Sequence, residues 1–307
     1  MLKIWARAVG FYRGFLLVSL MPVSLGVALY WQQTGALHWP TALLTMVAVW
    51  FFHAGTNLLN DYYDHLSGTD DINQVRTPFS GGTRVIQENL LPAEHVRLGG
   101  IVAYAIGAVL FLLLFFVAGY AVLALAVFGM ASGLAYNARP VWLAYRGWGE
   151  LVLGLTFGPA LVAVGQAAQS GRIDPVALWL GGIVGLWAAA IITVNEVPDY
   201  VADKTVGKRN LVVRFGLQKG LMLWAGMLYA ALGLLAAGVF LGVFPPQLVL
   251  GLLVLPLVGR LTGIARRGMD SLDDVIAVCG GTIKGEIILW TLLLVGLVAA
   301  RLMGGTQ

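Results

Sequence analysis

Two acidic strings carry residue types from which a metal and phosphate site can be built. The first reads Asn60-Asp61-Tyr62-Tyr63-Asp64-His65-Leu66-Ser67-Gly68-Thr69-Asp70-Asp71. The second reads Asn195-Glu196-Val197-Pro198-Asp199-Tyr200-Val201-Ala202-Asp203. Asn60 and Asp64 are four residues apart, and Asn195, Asp199 and Asp203 repeat that step twice, so each set shares one helix face. Carboxylates on one face repel each other, and at a helix C-terminus they meet the unfavourable end of the dipole. A bridging cation relieves both penalties. Carboxylate and amide oxygens suit Mg2+ rather than zinc or copper, and Mg2+ binds through one or two carboxylates plus substrate phosphates. Two such strings facing one cavity would hold a diphosphate between them. A solvated polar loop accounts for one Asp pair but gives no reason for the same Asn-x3-Asp step twice.

Cationic groups stand close by in sequence. Arg76 and Arg84 flank Thr77-Pro78-Phe79-Ser80-Gly81-Gly82-Thr83, Lys204, Lys208 and Arg209 follow the second string, and Arg13 opens the first apolar stretch. Arginine forks and lysine point charges both bind phosphate. Arg84 is the first choice among them, because a Gly-Gly turn precedes it and acidic residues around it need a counter-charge. Arg13, Lys204 and Lys208, with Asn60 and Asn195, complete the expected diphosphate contacts. Tyr136 is the aromatic side chain expected to face a cavity, and Tyr62, Tyr63, Trp142, Tyr145 and Tyr200 suit an interfacial role.

The elements that position these groups follow from composition. Of 307 residues 59% are hydrophobic and 11% charged, and mean hydropathy is +0.84. A soluble domain carries roughly 25% charged residues. This excludes a soluble enzyme, a nucleic-acid binder and a disordered chain. One cysteine, Cys279, excludes an internal disulfide and a Cys-based zinc site. Continuous apolar runs near 13–31, 40–59, 97–117, 120–137, 149–168, 176–195, 220–242, 246–264 and 282–302 predict nine transmembrane helices, since about 20 apolar residues span a bilayer. The expected architecture is all-α and integral to the membrane, one domain over 1–307. The recurrence of the acidic string, each time after an even number of spans, reads as two four-helix halves, about 1–147 and 148–270, plus a ninth helix.

With the N-terminus in the cytoplasm, 17 of the 19 Lys and Arg residues fall on the cytoplasmic side, leaving Arg172 and Arg301. That split is what the positive-inside rule requires. Both acidic strings and the long loops 60–96 and 196–219 then face the cytoplasm, and the C-terminus lies outside. The expected location is the cell (inner) membrane. No charged residue is expected mid-span, which argues against a cation-coupled transporter, whose acids should lie near the midplane. A purely structural subunit gives no reason for the paired strings. Asp270, Asp273 and Asp274 read as a solvated loop, and His53 as a packing or interhelical hydrogen-bonding residue. His65 has a weaker claim to an acceptor-positioning role.

These residues resemble the UbiA-type intramembrane prenyltransferases over nearly the whole chain. The string Asn60-x3-Asp64-x5-Asp70 is similar to their first aspartate motif, and Asp199-x3-Asp203 followed by Gly207-Lys208-Arg209-Asn210-Leu211 to the second. Arg13 with Pro22 is similar to the family's opening helix. Gly81-Gly82-Thr83-Arg84-Val85-Ile86 and Tyr145-Arg146-Gly147-Trp148-Gly149-Glu150, followed by Phe157-Gly158-Pro159, look most like the branch that prenylates 1,4-dihydroxy-2-naphthoate for menaquinone. Many members of that branch have Asn-Asn-x-Arg-Asp where this chain has Asn195-Glu196-Val197-Pro198-Asp199. The resemblance implies nine helices around a central cavity and Mg2+-dependent transfer from a polyprenyl diphosphate to a small aromatic acceptor. Other acceptors are 4-hydroxybenzoate, homogentisate, chlorophyllide or a glycerol phosphate lipid. It implies metal binding by Asp64, Asp70, Asp199 and Asp203, and catalytic roles for Asp64, Asp199, Arg84 and Tyr136. Membrane lipid is an expected partner, and neither nucleic acid nor an obligate protein partner is expected.

Overall fold

The computed structural model describes residues 1–11, 15–68, 82–269 and 271–304, and of residues 15 and 16 the backbone alone. Arg13, Asp70, Arg76, Gly81 and Asp270 lie outside the described residues. The described chain is helical, with no strand among the described residues. In chain order the helices are α1 (Leu2–Ala8), α2 (Phe15–Thr34), α3 (Trp39–Ser67), α4 (Ala93–Ala118), α5 (Tyr120–Asn137), α6 (Gly149–Leu155) and α7 (Leu161–Ser170). They continue as α8 (Pro175–Asn195), α9 (Tyr200–Thr205), α10 (Leu211–Phe215), α11 (Leu217–Phe240), α12 (Leu255–Arg266) and α13 (Leu272–Gly304). A π-helical turn, Thr156–Ala160, joins α6 to α7, and a 3-10 segment, Pro246–Val254, leads into α12.

Among the described residues eight helices are long and apolar enough to cross a membrane: α3, α4, α5, α6–α7, α8, α11, the 3-10 segment with α12, and α13. The 20-residue α2 packs along α7, α13 and α3. Glycines set the closest crossings. A Cβ on Gly26 would meet the Val162 carbonyl and one on Gly165 the Val23 carbonyl, which brings the α2 and α7 backbones together. A Cβ on Gly158 would meet Gly181 and Gly185 of α8 in the same way. In lipid, where apolar side chains gain little by leaving the solvent, this backbone approach is what helix pairing rests on.

Two elements depart from the sequence reading. Helix α3 runs to Ser67, not 59, so Asn60, Asp61 and Asp64 sit on its last turns, and Gly68 at φ 76° ends it. Helix α13 begins ten residues earlier than predicted, at Leu272. The Ser271 hydroxyl accepts from the Asp274 N–H at 3.1 Å and lies 2.8 Å from the Asp274 carboxylate. Asp273 and Asp274 therefore occupy a helix first turn, where the dipole favours anions, rather than a loop. The same helix corrects a second expectation. Glu286 is 14 residues beyond Leu272, about 21 Å along the axis, and is 4% exposed, so a buried carboxyl lies near the middle of this helix.

Candidate active site

The ends of α3, α5 and α8 and the segments that follow α5 and α8 meet at one end of the bundle. Asn60 donates to the Asn137 side chain at 3.0 Å, and Asn137 donates to the Thr56 and Gly133 carbonyls, tying α3 to α5. The Tyr145 hydroxyl donates to Asp64 Oδ1 at 3.3 Å and lies 2.7 Å from Ser67 Oγ. The Arg209 N–H donates to the Tyr145 carbonyl at 3.1 Å, so the segment after the second acidic string is fastened beside the first.

Lys208 is the hub of the arrangement. Its Nζ lies 3.5 Å from Asp203 Oδ1, and it interacts with Asp64, Tyr136 and Glu196. Asp203, 1% exposed, accepts a hydrogen bond from Asn210 Nδ2 at 2.7 Å. Burial opposes the Lys208 charge, but the Asp203 and Asp64 carboxylates outweigh it and hold the ammonium well above the usual lysine range. Burial raises Asp203 above the usual carboxylate range, while Lys208 pulls it back. Burial, then the neighbouring Glu150, pushes Glu196 well above that range. Glu150 accepts from the Leu211 N–H at 2.5 Å, at the start of α10.

The expected residues divide into groups. Asp64, Asp203, Lys208 and Tyr136 come together. Asn195 lies on the last turn of α8, its Oδ1 buried without a hydrogen-bond partner among the described residues. Asp199 stands just before α9, and its carbonyl accepts from the Asp203 N–H at 2.8 Å. Arg84 follows Thr83, whose N–H and hydroxyl both donate to Asp61, and its own φ is 60°. A non-glycine residue held in that left-handed region is uncommon and clusters at functional sites. Lys204 is exposed over the Tyr200 ring, 5.7 Å from its centroid, and faces an outer bowl. Arg13 and Asp70 lie outside the described residues.

Sequence reasoning missed Asp61, which holds the Arg84 loop, and the buried acids Glu150 and Glu196 as a neighbouring pair. Glu150 had a signal, an acid in the first turn of a helix after two glycines. For Asp61 there was none, since its partner is 22 residues away.

Tyr136 also lines an apolar cavity among α2, α3, α4, α5 and the π turn. Phe52, Phe111, Leu125, Val152, Phe157 and Val164 supply much of its wall. His53 sits inside, 3.0 Å from Ser19 Oγ on α2 and edge-on to Phe157, as an interhelical bonding residue. The geometry is thus an ionic cluster beside a long apolar space, with one tyrosine common to both.

The sequence model of the UbiA prenyltransferase family matches residues 19–274, and the chain belongs to that family. It is 29% identical over 282 residues to a 1,4-dihydroxy-2-naphthoate octaprenyltransferase of Mycobacterium tuberculosis, covering 92% of both chains. It is 30% identical over 200 residues to the UbiA prenyltransferase domain-containing protein 1 of Danio rerio, covering 64% of this chain and 57% of that one. The fold matches a solved UbiA homolog from Archaeoglobus fulgidus bound to GPP and Mg2+, with TM-score 0.68 and 16% identity, over 97% of this chain and 99% of that one. A solved digeranylgeranylglyceryl phosphate synthase matches with TM-score 0.65 and 17% identity, over 97% and 99% of the two chains. The protein is accordingly a membrane prenyltransferase.

Proposed function

We propose that the chain transfers a polyprenyl group from its diphosphate to an aromatic acceptor, 1,4-dihydroxy-2-naphthoate, with Mg2+. The observation that carries this reading is the Asp64–Lys208–Asp203 cluster meeting the apolar cavity at Tyr136. The naphthoate is favoured by the Mycobacterium tuberculosis relative, similar over nearly the full length. We place α2 as the first of nine spans, two four-helix halves and a last helix, with the N-terminus and site cytoplasmic in the cell (inner) membrane.

The donor set fits Mg2+. Among the described residues buried Asn195 Oδ1 has no hydrogen-bond partner, Asp203 Oδ1 has Lys208 at ion-pair distance without hydrogen-bond geometry, and all the oxygens are hard ligands. Among the described residues no three His, Cys, Asp or Glu side chains gather closely enough to hold a metal unaided. That agrees with an ion sharing one or two carboxylates with substrate phosphates. Asp64, Asp70, Asp199 and Asp203 would hold it, supported by Asn60 and Asn195. When bound, Mg2+ neutralises charge on the diphosphate oxygens.

The protein's own groups do the rest. Lys208, with Arg84 and Arg13, meets the charge that grows on the leaving diphosphate as the allylic carbon–oxygen bond breaks, and such groups act most strongly in a dry site. The face of Tyr136 steadies the allylic cation, and the apolar cavity keeps water from it. An electron-rich ring carbon of the naphthoate then bonds to that cation. The carboxyl on the same carbon leaves as CO2, returning its electron pair to the ring.

Incubating the purified protein with prenyl diphosphate and naphthoate labelled at the carboxyl carbon tests this. Prenylated product with the label released as CO2 supports the reading. Retained label overturns the mechanism. An inert naphthoate with reactive 4-hydroxybenzoate or homogentisate overturns the acceptor and leaves the prenyl transfer.

A further inference from the structure

Outside the acidic cluster the chain builds a second, oppositely charged feature. Arg146, Lys204, Lys208, Arg209 and Arg214 line one open bowl, and among the described residues no acidic side chain contributes to its wall. Orientation in a membrane requires cations on one side but not their convergence into a concavity.

Specific contacts make the bowl. The Arg146 guanidinium donates to the Pro140 carbonyl at 2.7 Å, and the Arg214 Nη1 donates to the Gly147 carbonyl at 3.2 Å. Gly147 adopts φ 75°, and a Cβ there would lie 2.5 Å from Arg214 Cδ and 2.6 Å from the Arg209 carbonyl. A glycine turn therefore lets three cationic residues close over one another. Holding like charges together is unfavourable unless an anion shares them.

Lys208 belongs to both features. Its ammonium faces Asp203 while its side chain, 16% exposed, forms part of the bowl's wall. The cations thus run from the buried cluster to the exposed rim without interruption.

We propose that this bowl is a second anion site, which takes phosphate oxyanions either as the diphosphate released by the reaction or as the headgroup of an anionic lipid. Guanidinium forks match phosphate oxygens in pairs, and four of the five cations are reachable from water. As an exit station for diphosphate it rests on the proposed prenyl transfer. As a phosphate-binding site it does not, and the test separates the two.

The full chain is placed in phosphatidylcholine nanodiscs with EDTA, and binding of labelled inorganic diphosphate is measured. Without metal the carboxylates around Lys208 repel diphosphate, so binding reports the bowl. Saturable binding is expected, weakened about tenfold or more in Arg146→Gln/Arg209→Gln and kept in Arg209→Lys. Displacement of diphosphate on adding phosphatidylglycerol to the disc assigns the site to lipid headgroups, and binding indifferent to that lipid assigns it to free diphosphate. Both outcomes uphold the site. Absent binding, or equal binding in the double variant with an unchanged unfolding temperature, overturns it, whether or not the protein transfers prenyl groups. Binding as expected in a protein that releases no diphosphate from prenyl substrates would sink the proposed function and leave the bowl standing.

Discussion

Lys208 carries the one ammonium that interacts with both Asp203 and Asp64, so its removal should be felt in the chemistry. Lys208→Gln is expected to lower kcat by about 10²- to 10³-fold, the range seen when one preorganised charge-stabilising donor is lost. Steady-state prenyl transfer measures this, and a change confined to KM would show that the group acts on bound substrate alone. Asp64→Asn keeps a side chain that can still accept from Tyr145, so the protein should unfold at an unchanged temperature while transfer is abolished. Glu196 gives a pH prediction. Its folded pKa is raised, so between the ordinary carboxylate range and that higher value the folded state binds the extra proton. Stability therefore falls as pH rises through this window. Glu196→Gln removes the ionising group, and its gain in unfolding temperature over the parent should be larger at pH 8 than at pH 5. An equal or smaller gain at pH 8 would show that Glu196 is not held neutral.

Helix positions were legible because apolar runs of span length leave few alternatives. The predicted 120–137 and 176–195 fall within a residue of α5 and α8. What escaped was the polar continuation of helices. The residues past 59 looked like loop by hydropathy, yet helix propagation needs only backbone bonds, and α3 goes on until Gly68. The early start of α13 was readable in principle from Ser271 and Asp274 at cap spacing, a local signal that a hydropathy reading passes over. Within the site, Asp64 and Asp203, which the four-residue step singled out, both interact with Lys208. The pairing of Glu150 with Glu196 is tertiary and has no sequence spacing to announce it. Close helix crossing supplies a prediction at this scale. Gly158→Ala puts a methyl against Gly181 and Gly185 and should destabilise by about 1–3 kcal/mol, the usual range for overpacking. Thermal unfolding in detergent reads this, and an unchanged midpoint would mean that the contact between the π turn and α8 yields freely.

For the molecule as a whole, the apolar cavity and the ionic cluster are two compartments joined at Tyr136. Gly129 lines the cavity, and a Cβ built there meets nothing within 4 Å. Gly129→Phe should therefore fold and fill part of the space. Turnover of long prenyl diphosphates is expected to fall while that of the shortest is kept, measured with donors of graded length; equal loss across the series would place the tail elsewhere. A catalytic cavity walled by hydrocarbon and enclosed among membrane-crossing helices also changes what concentration means. Its apolar substrate reaches it from a two-dimensional solution, so the quantity that fills the site is the number of donor molecules per lipid, not per litre. At constant total amounts, adding inert lipid to the vesicles should slow the reaction, and adding water should not.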